Sequence, residues 1–429
     1  MNKNKKSLLI IFDHQLAYRS YKETNILDNL EKEFSAKILI IGSNFENFTP
    51  ALDARNKLIQ LKPFESFFLA FYANAYWNKV AENSLSMQNR TWYVINTTSK
   101  IFSAKAFGKW YYKCFRRTPI ILTQIFLYRV LKLIRSNLNE PLKTKVLYIT
   151  VGGTNSISDL LVKKFSKEHI DILTIVENWD NMSSKAVFDY PPPRIGVWGD
   201  QSIKFGRLIH KIDLNKMVSL GNPRVEWLIK NFKFDQPGKN IFFGGGSVDL
   251  NEEILFLVAA AQKAKLMGLK VYYLPHPKFY NLVNSKLLNT ISENLIIVGG
   301  FGDKKIESKS LPKLIDYIPL FQEAKVFVSS LSTLNLEASL LGIPSIAIDL
   351  KTSIPVSKNL ISDRHDHIKD VKNEGLFHFV QELDAFKDLL RDLLGSSAPL
   401  LIPRKQVPTL NYLINSDGNY MEKLLKFLK

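Results

Sequence analysis

Short runs of β-branched and aromatic residues alternate along this chain with longer stretches of helical spacing, and the alternation occurs twice. In the first half the runs cover residues 8–12, 37–41, 92–95, 146–150, 172–176 and 195–198. Polar breakers at Asp235-Gln236-Pro237-Gly238 interrupt the series, and it restarts with runs at 240–243, 271–274, 295–298, 326–329 and 345–349. Helices are expected between them over 251–267, 314–323 and 334–341. The runs are apolar throughout rather than alternating, the pattern of strands buried on both faces in a parallel sheet with helical crossovers. At 429 residues the chain exceeds what one hydrophobic core serves. The expected fold is therefore α/β with two Rossmann-like domains, 1–235 and 236–400, and a tail with a helix over 401–429 that packs back on the first domain. Ligands in such sheets bind outside the carboxyl ends of the strands, so chemistry is sought in the loops that follow each run.

Composition narrows the partners. The single cysteine, Cys114, cannot form an internal disulfide and suits a reducing compartment. Run 8–12 is too short for a signal-peptide core. The most apolar segment, 120–134, contains Gln124, Arg129 and Lys132 and falls short of the roughly 20 residues of a spanning helix. A cytoplasmic protein is expected. The formal charge of +18 favours an anionic partner. Between residues 100 and 135 nine lysines and arginines occur without an acid, interleaved with Trp110, Tyr111, Tyr112 and Phe115. This is the makeup of a segment lying on an anionic membrane surface, with a solvated basic face as the alternative; no nucleic acid is expected.

Three motifs stand in the second half. Gly244-Gly245-Gly246-Ser247 follows run 240–243 and precedes a helix, which suits either a close approach to a ligand phosphate or a plain tight turn. It is neither a P-loop nor a dinucleotide fingerprint, having no Gly-Lys-Ser/Thr ending and no third spaced glycine. Pro275-His276-Pro277 follows run 271–274 with the imidazole fixed between prolines, either as a donor to a leaving phosphate or as an ordinary turn histidine. Ser329, Ser330, Ser332 and Thr333 then cluster at a helix start, where free N–H groups favour phosphate, and Glu337 lies at i+4 from Thr333. One N-cap explains one hydroxyl, not four.

Together, His276-Pro277, Ser332-Thr333 and Glu337-Ala338 before Gly342-Ile343-Pro344 resemble the donor half of GT-B-fold glycosyltransferases of bacterial surface-polysaccharide synthesis. The order of motifs is similar to that of sialyl- and polysialyltransferases and capsule Kdo transferases, which use CMP-activated sugars, and to that of CDP-glycerol glycerophosphotransferases. The resemblance implies two domains facing each other across a cleft. It also implies that His276, Ser332 and Thr333 hold the donor phosphate, that Glu337 reaches the ribose, and that Gly244, Gly245 and Gly246 face the same phosphate. The Asp/Glu-Asp/Glu-Gly triplet of the sialyltransferases is absent from the first half.

The first half offers the acceptor side. Glu177-Asn178-Trp179-Asp180-Asn181 follows run 172–176 and combines amides for hydroxyls, a ring for a sugar face and carboxylates for proton transfer, with a capped turn as the alternative. Asp13 and His14 follow run 8–12 and are further candidates for the base. Arg224, in Leu220-Gly221-Asn222-Pro223-Arg224, can meet a phosphate bidentately or pair with a structural carboxylate. Arg364-His365-Asp366-His367 reads as a solvated loop rather than a metal site, and no Asp-x-Asp pair occurs. The expected activity is metal-independent sugar transfer from a nucleotide donor, CMP-linked for preference, to a surface or lipid-linked glycan, with no cofactor. Rivals are glycerophosphate transfer from CDP-glycerol, epimerisation of a UDP-sugar, and a non-catalytic basic protein that binds nucleic acid or membrane.

Overall fold

The computed structural model describes residues 5–42, 56–60, 84, 145–150, 157–184, 188, 190–233, 238–246, 250–276, 293–298, 312–350, 361–373, 375–396 and 408–429. The expected strand 92–95, the basic segment 100–135, Cys114, the breaker residues Asp235 to Pro237, Ser247 and Pro277 lie outside them. The chain divides into two compact units, residues 1–224 with 411–429, and residues 225–410.

The first unit carries β1 (Ser7–Phe12), β2 (Ser35–Gly42), β3 (Asn56–Gln60), β4 (Lys145–Thr150), β5 (Ile172–Val176), β6 (Arg194–Val197) and β7 (Met217–Ser219), in the order β3-β2-β1-β4-β5-β6-β7. The second carries β8 (Asn240–Gly244), β9 (Val271–Leu274), β10 (Leu295–Ile297), β11 (Ala324–Ser329), β12 (Ser345–Ile348) and β13 (His378–Val380), in the order β10-β9-β8-β11-β12-β13. All pairs are parallel. Each chain segment winds outward from its first strand and then crosses to the other side. The strand order therefore reverses between β1 and β4, and again between β8 and β11, where the crevice of a doubly wound sheet opens.

Burial on both faces follows from what alternates along each strand. Ile241 and Phe243 of β8, with Val326 and Val328 of β11, pack against helices Leu250–Leu266 and Leu383–Gly395. Phe242 and Phe327 point the other way, into Leu314, Ile318 and Phe321 of helix Leu314–Glu323. Phe242 meets Phe321 and Phe327 edge-on at 5.3 and 5.1 Å, an arrangement worth about 1 kcal/mol per pair beyond area burial. In the first unit Leu8, Ile10 and Phe12 share a core with Tyr420, Leu424 and Leu428, the apolar stripe of C-terminal helix Tyr420–Leu428.

Strands β3 and β13 are missing from the sequence reading, and both are sheet edges. An edge strand pairs on one side only, and β13 is three residues long, so neither carries the continuous apolar run of the central strands. Expected run 195–198 ends one residue early, because Val197 O accepts the N–H groups of Leu220 and Gly221 and the chain turns at Trp198. Run 345–349 likewise ends at Ile348, with buried Asp349 accepting the Ser362 N–H at 2.9 Å.

Candidate active site

The switch point of the second sheet assembles most of the expected donor residues. Register pairs Ser329 with Gly244, so the glycine turn after β8 and the serine turn after β11 leave the sheet side by side. The Gly245 N–H donates to Leu274 O at 2.7 Å, which brings in Pro275 and His276 from the neighbouring strand. A Cβ on Gly246 would lie 1.6 Å from Ser330 Oγ. The glycines are thus explained by close packing of three loops, and His276 is half-buried among them.

One residue at the centre has no place in the sequence reading. Glu253, in helix Leu250–Leu266, is buried, and its Oε2 accepts the Gly246 N–H at 2.5 Å and the Ser330 hydroxyl at 3.2 Å. Its Oε1 accepts the Tyr273 hydroxyl at 2.8 Å. Burial pushes the carboxyl above its ordinary range, and these three hydrogen bonds pull it partly back. In sequence Glu253 is one of two acids in a first helical turn, which ordinarily signals no more than helix-dipole compensation.

The hydroxyl cluster is more self-contained than the sequence suggests. Ser329 Oγ and Ser332 Oγ bond each other at 2.9 Å, and Ser330 is engaged by Glu253. Polar groups in so buried a turn satisfy one another first. Ser332 is the N-cap of helix Thr333–Leu340, and Asn335 Oδ1 returns to its N–H at 2.8 Å. Asn335 Nδ2 donates to Ser345 Oγ and Ile346 O, fastening this helix to β12. Leu331 between these anchors takes φ +43°, a left-handed conformation that a branched side chain adopts only under constraint. Thr333 is half-buried in the first turn, and Glu337 is buried one turn further in.

In the first unit, Asp13 sits at the β1/β4 switch point. Its Oδ2 accepts the hydroxyls of Tyr148 at 2.7 Å and Thr150 at 2.7 Å. His14 caps helix Gln15–Glu23, its Nδ1 accepting the Leu16 N–H at 3.1 Å. That bond places the proton of a neutral ring on Nε2, where it donates rather than accepts. Asp180 is half-buried and receives the Ser184 hydroxyl at 3.3 Å, while its carbonyl takes the Ser183 and Ser184 N–H groups at the start of helix Asn181–Ser184. Asn178 is half-buried. Trp179 and Asn181 are buried rather than displayed, and the Asn181 carboxamide has no hydrogen-bond partner among the described residues.

Glu177 departs furthest from its expected role in proton transfer. It is buried, bonded by Tyr21 and by Asn222 Nδ2 at 3.0 Å, and desolvation lifts its pKa from 4.5 to about 8 despite both bonds. The Tyr21 hydroxyl shares a short hydrogen bond with Tyr420 and is itself pushed well above its usual value, first by burial. A carboxyl protonated at neutral pH and sealed from solvent ties β5, helix Gln15–Glu23 and the C-terminal helix together. Asn222 Oδ1 also accepts the Arg224 N–H at 3.0 Å, so half-buried Arg224 stands at the edge of this same knot in the first unit.

His365 and His367 rings lie 5.3 Å apart, and among the described residues no three His, Cys, Asp or Glu side chains converge as metal ligands. No helix among them is long and apolar enough to cross a membrane.

No protein-family model matches the sequence, and no curated protein does. Solved structures do. UDP-GlcNAc 2-epimerase from Neisseria meningitidis, bound to UDP-GlcNAc, has a TM-score of 0.56 at 12% identity over 98% of this chain and 99% of its own. UDP-N-acetylglucosamine 2-epimerase from Rickettsia bellii has a TM-score of 0.56 at 12% identity over 99% and 96%. The glycotransferase of kitacinnamycin has a TM-score of 0.54 at 9% identity over 99% and 100%. At such identities the likeness is one of fold: this chain has the two-unit α/β architecture of the GT-B class.

Proposed function

We propose that this protein is a glycosyltransferase that moves a sugar from a nucleotide-activated donor, CMP-linked for preference, to a bacterial surface glycan such as capsule or lipopolysaccharide, or to its lipid-linked precursor. The observation that carries the reading is the convergence of His276, the glycine turn and the Ser332–Thr333 helix start at the β8/β11 switch point. The positive dipole end of that helix favours a phosphate. His276 donates to the leaving phosphate, Thr333 and Ser332 hold it, and Glu337 takes the ribose. Charge growing on the departing phosphate is met by these fixed donors, in the place of a metal.

On the acceptor side the base is Asp13 or Asp180, since His14 presents a donor nitrogen and Glu177 is sealed. Half-buried Asn178 and buried Trp179 and Asn181 form the acceptor loop. The segment 100–135 holds the protein at the inner face of the cytoplasmic membrane, where a lipid-linked acceptor is presented. CMP, CDP, UDP and GDP offered to the purified protein test the donor site by thermal stabilisation. His276→Ala should lower kcat about 10²- to 10³-fold in a folded protein; unchanged turnover refutes the assignment.

Epimerisation of a UDP-sugar is the second reading. Its support is the fold shared with UDP-GlcNAc 2-epimerases, which match nearly end to end, as a glycotransferase does too. Incubation with UDP-GlcNAc alone separates the two: an epimerase changes the sugar or releases UDP without an acceptor, and a transferase needs one.

A further inference from the structure

We propose that Glu253 is the positioning residue of the donor cradle, holding the glycine turn and the serine turn in register so that the neighbouring donors meet a phosphate. The proposal rests on the nucleotide-donor reading of this site.

Acids are almost never fully buried unless paired, yet Glu253 is 1% exposed and accepts from three neutral donors. Those donors come from the turn after β8, from β9 and from the turn after β11. Two of them, the Gly246 N–H and the Ser330 hydroxyl, converge on one oxygen and lie at the carboxyl edge where the ligand crevice opens. Leu331 sharpens the argument. Its left-handed backbone persists only while both flanks are held. Ser332 is held by Asn335 and Ser329, and Ser330 by Glu253. Releasing Ser330 frees Leu331 to relax, and the start of helix Thr333–Leu340 moves with it. Glu253 thus acts on a ligand through Gly246 and Ser330 without touching it.

Three variants separate positioning from plain structural support. Glu253→Ala removes both links. Glu253→Gln can turn its carbonyl toward Gly246 and Ser330 and its amide toward the Tyr273 oxygen, which preserves the register. Tyr273→Phe breaks only the Oε1 bond. Each full-length protein is assayed for CMP and UDP binding by calorimetry and for its unfolding midpoint. The expected result is nucleotide binding weakened about tenfold or more in Glu253→Ala and within about threefold of the parent in Glu253→Gln and Tyr273→Phe, although Tyr273→Phe also lowers the midpoint. Ser330→Ala, which cuts one of the two links and spares the fold, should fall between. Parent-like binding by Glu253→Ala, or binding lost in Tyr273→Phe in step with the midpoint, overturns the proposal. A parent protein that binds neither nucleotide overturns the donor reading itself, and the proposal with it.

Discussion

The Glu177 carboxyl makes a quantitative forecast about pH. Its pKa stands at about 8 in the folded protein against 4.5 for the free group. Between those values the native state holds a proton that the unfolded chain has lost. Stability is therefore fully present below about pH 4.5 and falls as pH rises through 8, by about 1.4 kcal/mol per unit and about 5 kcal/mol in all. Glu177→Gln removes the titration. Gln keeps a carbonyl for Asn222 Nδ2 and offers an amide to Tyr21, whose hydroxyl retains Tyr420. Urea unfolding of both proteins from pH 4.5 to 8.5, followed through the buried Trp179 and Trp198 of the first unit, should show a stability difference that grows steadily in favour of the variant. A pH-independent difference would refute a protonated Glu177, and with it the reason for excluding that residue as the base.

His210 has the opposite sign. Burial lowers its pKa from 6.5 to about 4, so its contribution is complete above pH 6.5 and is lost as pH falls toward 4, by about 3 kcal/mol. In the parent the two slopes should nearly cancel between pH 4.5 and 6.5, leaving a decline above that range; in Glu177→Gln urea midpoints should instead rise with pH there, and a flat profile counts against the His210 assignment. Gly221→Ala meets a φ of +89° and a Cβ only 2.2 Å from Asn415 O. It should cost about 2–4 kcal/mol and expose the C-terminal segment to protease before the rest of the first unit; unaltered proteolysis speaks against the close approach. Gly246→Ala drives a methyl into Ser330 Oγ and should abolish nucleotide-induced stabilisation, measurable by the same thermal shift that detects it in the parent. Lys372→Met withdraws the cation 3.5 Å from buried Asp349 and should lower the unfolding midpoint by the equivalent of about 1–3 kcal/mol.

How much of this was legible in the linear chain depended on whether the controlling interaction was local. Central strands such as Ile172–Val176 and Val271–Leu274 stand where their apolar runs end, because burial on both faces demands unbroken hydrophobicity. The helix start at Ser332–Thr333 and the glycine turn after β8 were legible for the same reason: capping and close backbone approach are written in adjacent residues. Edge strands β3 and β13 were not, since neither carries an unbroken apolar run and their pairing comes from a neighbour distant in sequence. Nor was the division of labour among the polar groups. Whether Glu177 is a base or a buried tie depends on Tyr21, Asn222 and Tyr420, residues up to 399 positions apart within the knot. Whether Ser330 faces a ligand depends on Glu253, 77 positions away. The sequence alone determined two doubly wound parallel sheets and the turns that leave their carboxyl edges, because hydrophobic period and turn chemistry act within a few residues. Only the tertiary structure decided which carboxyls stay protonated and which hydroxyls are already spent, because desolvation and hydrogen bonding are set by whatever the fold brings into contact.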